Sequence, residues 1–212
     1  MLKVIAFNGS PRQRGNTWYA LNTVLEVLEE NGIQTELVQI GDLIIQGCRA
    51  CGGCSAARNG KCVLDGDAVN MYIQRMQEAD GILLGSPVYF TGPTGPMKAF
   101  LDRAFFLCSK NGGLLRHKVG AAVTAVRRAG GIQVLDALNR YLMYSEMLLP
   151  SSNYWSLIYG RTPGQAAADG EGVQTLRLLG ENMAWLMKVT AQGRDIFPPP
   201  PPVEKCMTNF IR

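Results

Sequence analysis

Histidine is nearly absent from the sequence, since His117 is the only one among 212 residues. A catalytic triad or a general-base pair that depends on imidazole is therefore excluded. Metal sites built from several histidines are excluded for the same reason. His117 itself precedes an apolar segment and is interpreted as an ordinary loop residue.

Long apolar runs and blocks of like charge are also missing. No segment approaches the ~20 apolar residues that span a bilayer, and Met1 leads directly into the strand-like residues 2–7 rather than into a signal peptide. The 21 basic and 17 acidic residues give a net charge of +4 without a basic arm or an acidic tail. We therefore expect a cytoplasmic protein with small anionic ligands and with no membrane or nucleic-acid partner.

Strand-like and helix-like patterns alternate along the chain. Apolar runs predict five strands, at residues 2–7, 34–40, 81–84, 119–126 and 154–159. Helical spacing of apolar residues predicts five helices, which begin near residue 17 or cover 67–77, 97–107, 132–147 and 173–187. Strict alternation calls for an α/β fold with a five-stranded parallel sheet between two layers of helices.

The length suits one full-sized core rather than two domains. We assign this core to residues 1–190, with a cysteine-rich insertion at 47–62 and a proline-rich tail at 191–212. Five consecutive prolines at 198–202 favour an extended polyproline II segment in that tail.

Three loops at predicted strand ends have ligand-binding chemistry, and in parallel sheets ligands bind beyond the carboxyl ends of the strands. The first loop, GSPRQRGNT at 9–17, leads into a helix start that suits a phosphate, and Asn16 or Thr17 is expected to cap that helix. The second, SPVYFTGPTG at 86–95, contains Tyr89 and Phe90, and the third, TAVRRAGG at 124–131, contains Arg127 and Arg128. Taken singly, each loop also fits ordinary turn, core or solvated-surface chemistry.

Four of the six cysteines form the pattern C-x2-C-x2-C-x7-C at Cys48, Cys51, Cys54 and Cys62. The first three repeat the spacing of bacterial cubane ferredoxins, which favours a [4Fe-4S] cluster. Bare redox or structural thiols and a zinc site are the alternatives, although zinc more often pairs two C-x2-C units across a longer gap. Asp102 and Arg103 predict a surface or subunit-interface ion pair, and Asp169 predicts a helix start.

Together these motifs resemble the NAD(P)H-dependent FMN reductase family, which has the flavodoxin-like three-layer α/β/α fold, and within it the iron-sulfur flavoproteins. The resemblance implies that the FMN phosphate is held by Ser10, Arg12, Asn16 and Thr17. It implies that the flavin ring is bordered by Pro87, Val88, Tyr89 and Phe90, with a third wall that includes Thr124, Arg127, Gly130 and Gly131.

The resemblance also implies a function. We expect an FMN-dependent oxidoreductase in which the cofactor carries the chemistry, because the chain has no acid–base constellation of its own. Its partners would be a small-molecule or redox-protein electron donor and acceptor, with NAD(P)H as a possible co-substrate, and its state a homodimer or homotetramer. The alternatives are a cluster-free NAD(P)H:flavin or quinone reductase and a non-enzymatic flavin electron carrier.

Overall fold

All five predicted strands are present and pair in parallel in one sheet. The computed structural model describes residues 1–208 and 210, in which the sheet order is β2-β1-β3-β4-β5. The strands are β1 (Lys3–Asn8), β2 (Gln34–Gln39), β3 (Gly81–Pro87), β4 (Val119–Val126) and β5 (Leu157–Tyr159). The helices are α1 (Asn16–Glu30), α2 (Gly53–Ala57), α3 (Val69–Glu78), α4 (Gly95–Lys110), α5 (Gly131–Tyr144) and α6 (Gly170–Gly193). The α/β prediction is confirmed.

Helices cover both faces of the sheet. Side chains that alternate along β1 enter two separate cores, since Phe7 packs with α3, α4 and α5 and Val4 packs with α1 and α6. Every residue of β4 is buried, which explains its run of small apolar residues between two helical layers. This arrangement directs the carboxyl ends of the strands toward one edge, where the ligand loops lie.

Several element boundaries differ from the predictions. β5 is limited to three residues, because Tyr154 and Trp155 are more than half exposed and precede the strand. The predicted cap of α1 is wrong, since the N-cap is Gly15 and makes no side-chain hydrogen bond, while Asn16 and Thr17 are already helical. The short α2 and a 3₁₀ turn at Gln165–Ala168 were not predicted.

The helix start at Asp169 is confirmed, because its carboxylate Oδ1 accepts a hydrogen bond from the Gly172 N–H at 3.0 Å. At its other end α6 continues to Gly193, six residues past the predicted helix end at 187. Beyond it the chain has no regular structure among the residues described. Positions 209, 211 and 212 of the predicted tail lie outside the described residues.

Within the described part of the chain, no helix combines the length and the apolar character that a bilayer crossing requires.

Candidate functional site

A cavity of about 170 Å³ opens at the carboxyl edge of the sheet. Loops from β1, β3, β4 and β5 meet around it. Its lining residues are Ser10, Pro11, Arg12, Asn16, Thr17, Pro87, Val88, Tyr89, Ala125, Arg127, Gly160 and Arg161. The structure thus brings together most of the residues singled out in the three sequence motifs.

Four predicted site residues do not line this cavity. Phe90 is fully exposed at the tip of its turn, and Thr124 is fully buried within β4. The Thr124 hydroxyl has no hydrogen-bond partner among the described residues. Gly130 and Gly131 form the N-cap and the first residue of α5. Their contact with a cofactor stays a prediction.

Ala125, from the predicted third loop, also lines the cavity, but sequence reasoning missed Gly160 and Arg161. Gly160 and Arg161 directly follow β5, so the rule that located the other three loops applied to them as well. Gly160 lies against the side chain of Asn16, as shown by the 2.6 Å that would separate a Cβ added at Gly160 from Asn16 Nδ2. The fourth strand-end loop therefore closes the cavity on the side of α1.

Hydrogen bonds hold the first loop in one conformation. The Ser10 N–H donates to Asn8 Oδ1 at 3.0 Å, and the Arg12 N–H donates to Ser10 Oγ at 3.1 Å. Gln39 Nε2 donates to the Ser10 carbonyl at 2.6 Å, and Gln39 Oε1 accepts from Asn8 Nδ2 at 2.6 Å. These bonds tie the first loop to β1 through Asn8 and to β2 through Gln39.

The charges around the cavity are of one sign. Arg12, Arg127 and Arg161 line it, and no carboxylate is among its lining residues. The start of α1 adds a partial positive charge, because no side chain caps its first turn. Backbone N–H groups at an uncapped helix start beside arginines form a site for an anion such as a phosphate.

The second loop contains a strained turn. Tyr89 and Gly92 exchange two backbone hydrogen bonds of 2.9 Å, and the two residues between them, Phe90 and Thr91, have φ values of 47° and 61°. Such a turn favours glycine or asparagine at both central positions. Non-glycine residues there cost on the order of 1–3 kcal/mol each, and strain of this kind is concentrated at functional sites.

The four motif cysteines line a second, smaller pocket of about 20 Å³, together with Arg103 and Phe106. Cys48 and Cys51 are exposed, Cys54 is buried and Cys62 is half-buried, and none is in a disulfide. Among residues 1–208 and 210, however, no three His, Cys, Asp or Glu side chains converge closely enough to form a metal-binding group. The thiols share one pocket without meeting at one point, so the cluster stays a prediction.

The predicted pairing of Asp102 with Arg103 is wrong. Arg103 is buried and forms its ion pair with Asp67, while Asp102 pairs with Lys98 at 2.6 Å and accepts a hydrogen bond from Tyr141. Burial, reinforced by the bond to Asp102, raises the pKa of Tyr141 to about 12. Neighbouring positions on a helix point in different directions, which explains the separation of the two side chains.

The fold and the cavity define a flavodoxin-like α/β protein with an anion-suited site at the strand ends. A sequence model of the family described as NADPH-dependent FMN reductase matches residues 2–161, and the chain belongs to this family. It is 35% identical to an iron-sulfur flavoprotein of Methanocaldococcus jannaschii, over 89% of this chain and 98% of that one. It is 30% identical to an iron-sulfur flavoprotein of Methanosarcina thermophila, over 92% of this chain and all of the other.

Solved structures support the fold. RosB, which was solved with a bound 8-demethyl-8-formylriboflavin-5′-phosphate intermediate, has a TM-score of 0.72 at 17% identity and covers 100% of this chain and 93% of its own. An archaeal flavodoxin has a TM-score of 0.58 at 16% identity, with 88% of this chain and 99% of its own covered. The predicted flavodoxin-like fold and the family resemblance are confirmed.

Proposed function

We propose that the protein is an FMN-dependent oxidoreductase that holds FMN in the cavity at the carboxyl edge of the sheet. The observation that carries this proposal is the charge of the cavity, in which three arginines and the uncapped start of α1 face a space without a lining carboxylate. Membership of the FMN reductase family and a fold neighbour solved with a flavin phosphate support it.

In this proposal the phosphate end of FMN is held by the first loop. Ser10, Asn16 and Thr17 supply neutral donors, and Arg12 supplies charge. Pro87, Val88 and Tyr89 border the ring and exclude water from one side of it, and Arg127 with Arg161 closes the anionic end. Bound FMN supplies exchange between two-electron and one-electron partners. Phe90, Thr124, Gly130 and Gly131 are proposed as outer parts of the ring site.

We propose further that Cys48, Cys51, Cys54 and Cys62 hold a [4Fe-4S] cluster. The donor set fits, because four thiols from one short segment line one pocket and cubane clusters take four cysteine thiolates. Positive φ values at Ala50 and Gly52 turn the backbone sharply between the first three cysteines. A bound cluster would exchange single electrons, while the loop excludes solvent from its buried side.

A second candidate is a cluster-free reductase, and one observation favours it. The thiols do not converge onto a common point within the described residues, as expected if their role is structural or redox-active.

The main proposal also includes partners and an oligomeric state. The electron donor is NAD(P)H, the acceptor is a small molecule or a redox protein, and the protein is a homodimer or a homotetramer.

Flavin binding tests the main proposal. Apoprotein is titrated with FMN and the quenching of flavin fluorescence is followed. Arg12→Gln and Arg127→Gln are each expected to weaken binding by about tenfold or more, because a hydrogen bond to a charged group contributes about 1.5–3 kcal/mol. Arg128→Gln is the matched control, since Arg128 is exposed and does not line the cavity. Unchanged affinity in both cavity variants contradicts the proposal.

Anaerobic mixing of the holoprotein with NADH or NADPH tests the donor. Repeated bleaching of the flavin with an added acceptor supports the reductase, whereas reduction by ferredoxin alone supports a carrier. Iron and sulfide analysis of anaerobically purified protein separates the two candidates for the cysteine pocket, because only the cluster requires both elements.

A further inference from the structure

One buried side chain joins the two ends of the loop that contains all four motif cysteines. Gln46 lies two residues before Cys48, and Leu64 lies two residues after Cys62. Arg103 Nη1 donates to the Gln46 carbonyl at 3.2 Å, and Arg103 Nη2 donates to the Leu64 carbonyl at 2.5 Å. The Arg103 guanidinium, on α4, thus joins the first and last residues of the loop over residues 46–64, a junction that we call the neck of the loop.

Asp67 completes this neck. Its Oδ2 accepts hydrogen bonds from Arg103 Nη1 and from the Gln46 N–H, the latter at 3.2 Å. The Arg103 side chain has no exposed surface and that of Asp67 is 11% exposed. A buried ion pair is costly unless its remaining donors and acceptors are satisfied. Two carbonyls and one amide of the loop neck provide that satisfaction.

One of the three guanidinium nitrogens has no partner. Arg103 Nε is buried and has no hydrogen-bond partner among the described residues, although Arg103 lines the same pocket as the four cysteines. An arginine guanidinium is not deprotonated in proteins, so Arg103 stays charged beside Asp67. A buried donor without a partner is unfavourable, and such a group in a native fold requires an explanation.

Anionic sulfur is the partner that this donor fits. Thiolates and cluster sulfurs accept hydrogen bonds, and such bonds together with nearby positive charge set the reduction potential of an iron-sulfur centre. Metal-bound sulfur in this pocket would accept a hydrogen bond from Nε–H and would also lie close to the positive charge of the guanidinium. In that state each of the three guanidinium nitrogens of Arg103 has at least one partner.

We infer that Arg103 is the positioning residue of the cysteine loop, closing its neck through Gln46, Leu64 and Asp67 and directing Nε–H and a positive charge at metal-bound sulfur. The first part of this inference, the hydrogen bonds by which Arg103 joins the two ends of the loop (the clamp), depends on the protein alone. The second part, the contact between Nε–H and metal-bound sulfur, rests on the proposed cluster. Two measurements therefore separate a failure of this inference from a failure of the proposed function.

Hydrogen exchange on iron-free protein tests the clamp. Arg103→Gln is expected to raise the exchange rate of amides in residues 46–64 by tenfold or more, with the sheet unchanged. Asp67→Asn is expected to produce a smaller rise in the same segment, which keeps the test informative if the first variant does not fold. Asp102→Asn is the control, since Asp102 is adjacent on α4 but bonds to Lys98 and Tyr141. Unchanged exchange in both Arg103→Gln and Asp67→Asn overturns the clamp.

The reduction potential of iron-loaded protein tests the sulfur contact. Arg103→Lys keeps the charge, so its potential is expected to stay closer to that of the wild type than the potential of Arg103→Gln. Arg103→Gln is expected to lower the one-electron equilibrium constant for reduction by tenfold or more, equal to ~59 mV. Equal potentials in the wild type and Arg103→Gln overturn the sulfur contact. A wild type that binds no iron overturns the sulfur contact together with the cluster, while the exchange measurement still decides the clamp.

Discussion

Gly41 packs against the backbone of the first ligand loop, and replacing it by alanine tests the site most directly. Gly41 follows β2 and is buried, with its N–H bonded to the Asn8 carbonyl at 3.1 Å. A Cβ at this position would stand 2.2 Å from the Ser10 carbonyl carbon and 2.4 Å from the Gly9 oxygen. Backbone atoms on both sides leave no flexible side chain that could move away.

The size of the effect follows from the overlap. Ordinary contact begins at 3.4 Å, so Gly41→Ala requires the backbone at Ser10 to move by roughly 1 Å, and overpacking of this kind typically costs about 1–3 kcal/mol. For a chain of this length, such a loss corresponds to a fall in Tm of about 2–12 °C. A shift of that size also removes at least one donor from the phosphate, which weakens FMN binding by about tenfold or more.

The assay has two readouts, thermal unfolding of the apoprotein and fluorescence titration with FMN. Gly170→Ala is the matched control, because Gly170 is exposed and a Cβ added there would meet no atom within 4 Å. Gly41→Ala is expected to lower both Tm and FMN affinity, and the control neither. A lower Tm with an unchanged Kd would show that the loop does not hold FMN, and an unchanged Tm would refute the packing argument itself.

Three further outcomes are expected. The hydrogen bond from Lys3 lowers the pKa of Glu36 from 4.5, so the pair stabilises the fold fully above pH 4.5 and this contribution disappears as pH falls through the folded-state pKa. The urea midpoints of wild type and Glu36→Gln should differ at pH 7, and the difference should shrink as the pH falls below 4.5. Burial raises the pKa of Cys108 to about 12, so iodoacetamide at pH 8 should modify it only after unfolding, as mass spectrometry would show. Thr94→Val should lower the free energy of unfolding by about 0.5–2 kcal/mol in urea titrations, because it removes the cap of α4 and the 2.6 Å bond to the Gly9 carbonyl.

Periodicity located the sheet and the ligand loops because both depend on local patterns. The apolar run of β4 has the same bounds in the sequence prediction and in the structure, since every residue in it is buried. The three strand-end loops were found because glycine, proline and polar residues directly follow such runs. Arg161 follows the same rule, but the short β5 gives a weak apolar signal and its loop was not recognised as part of the site.

Long-range pairing is where sequence reasoning failed. Asp102 and Arg103 are adjacent in the chain, so a pair of opposite charges at the helix surface was the simplest interpretation. The partner of Arg103 is instead Asp67, which is 36 positions away. No spacing rule connects the two residues, because the contact depends on how the cysteine loop lies on α4. The N-cap of α1 was also missed, because it depends on where the backbone becomes helical, and the helix begins at Asn16, one residue after a glycine that has no side chain to cap it.

Helix α4 connects the two proposed sites. At its N-terminus Thr94 is bonded to the first ligand loop through the Gly9 carbonyl, and Arg103 closes the cysteine loop nine positions later. A rise of 1.5 Å per residue places these two positions about 14 Å apart along the helix axis. Phe100 fixes the helix to the sheet, with its ring centroid 4.7 Å from that of Phe7. Because one packed helix bonds to both loops, it fixes the separation between the two proposed sites, and a movement of α4 would change both loops.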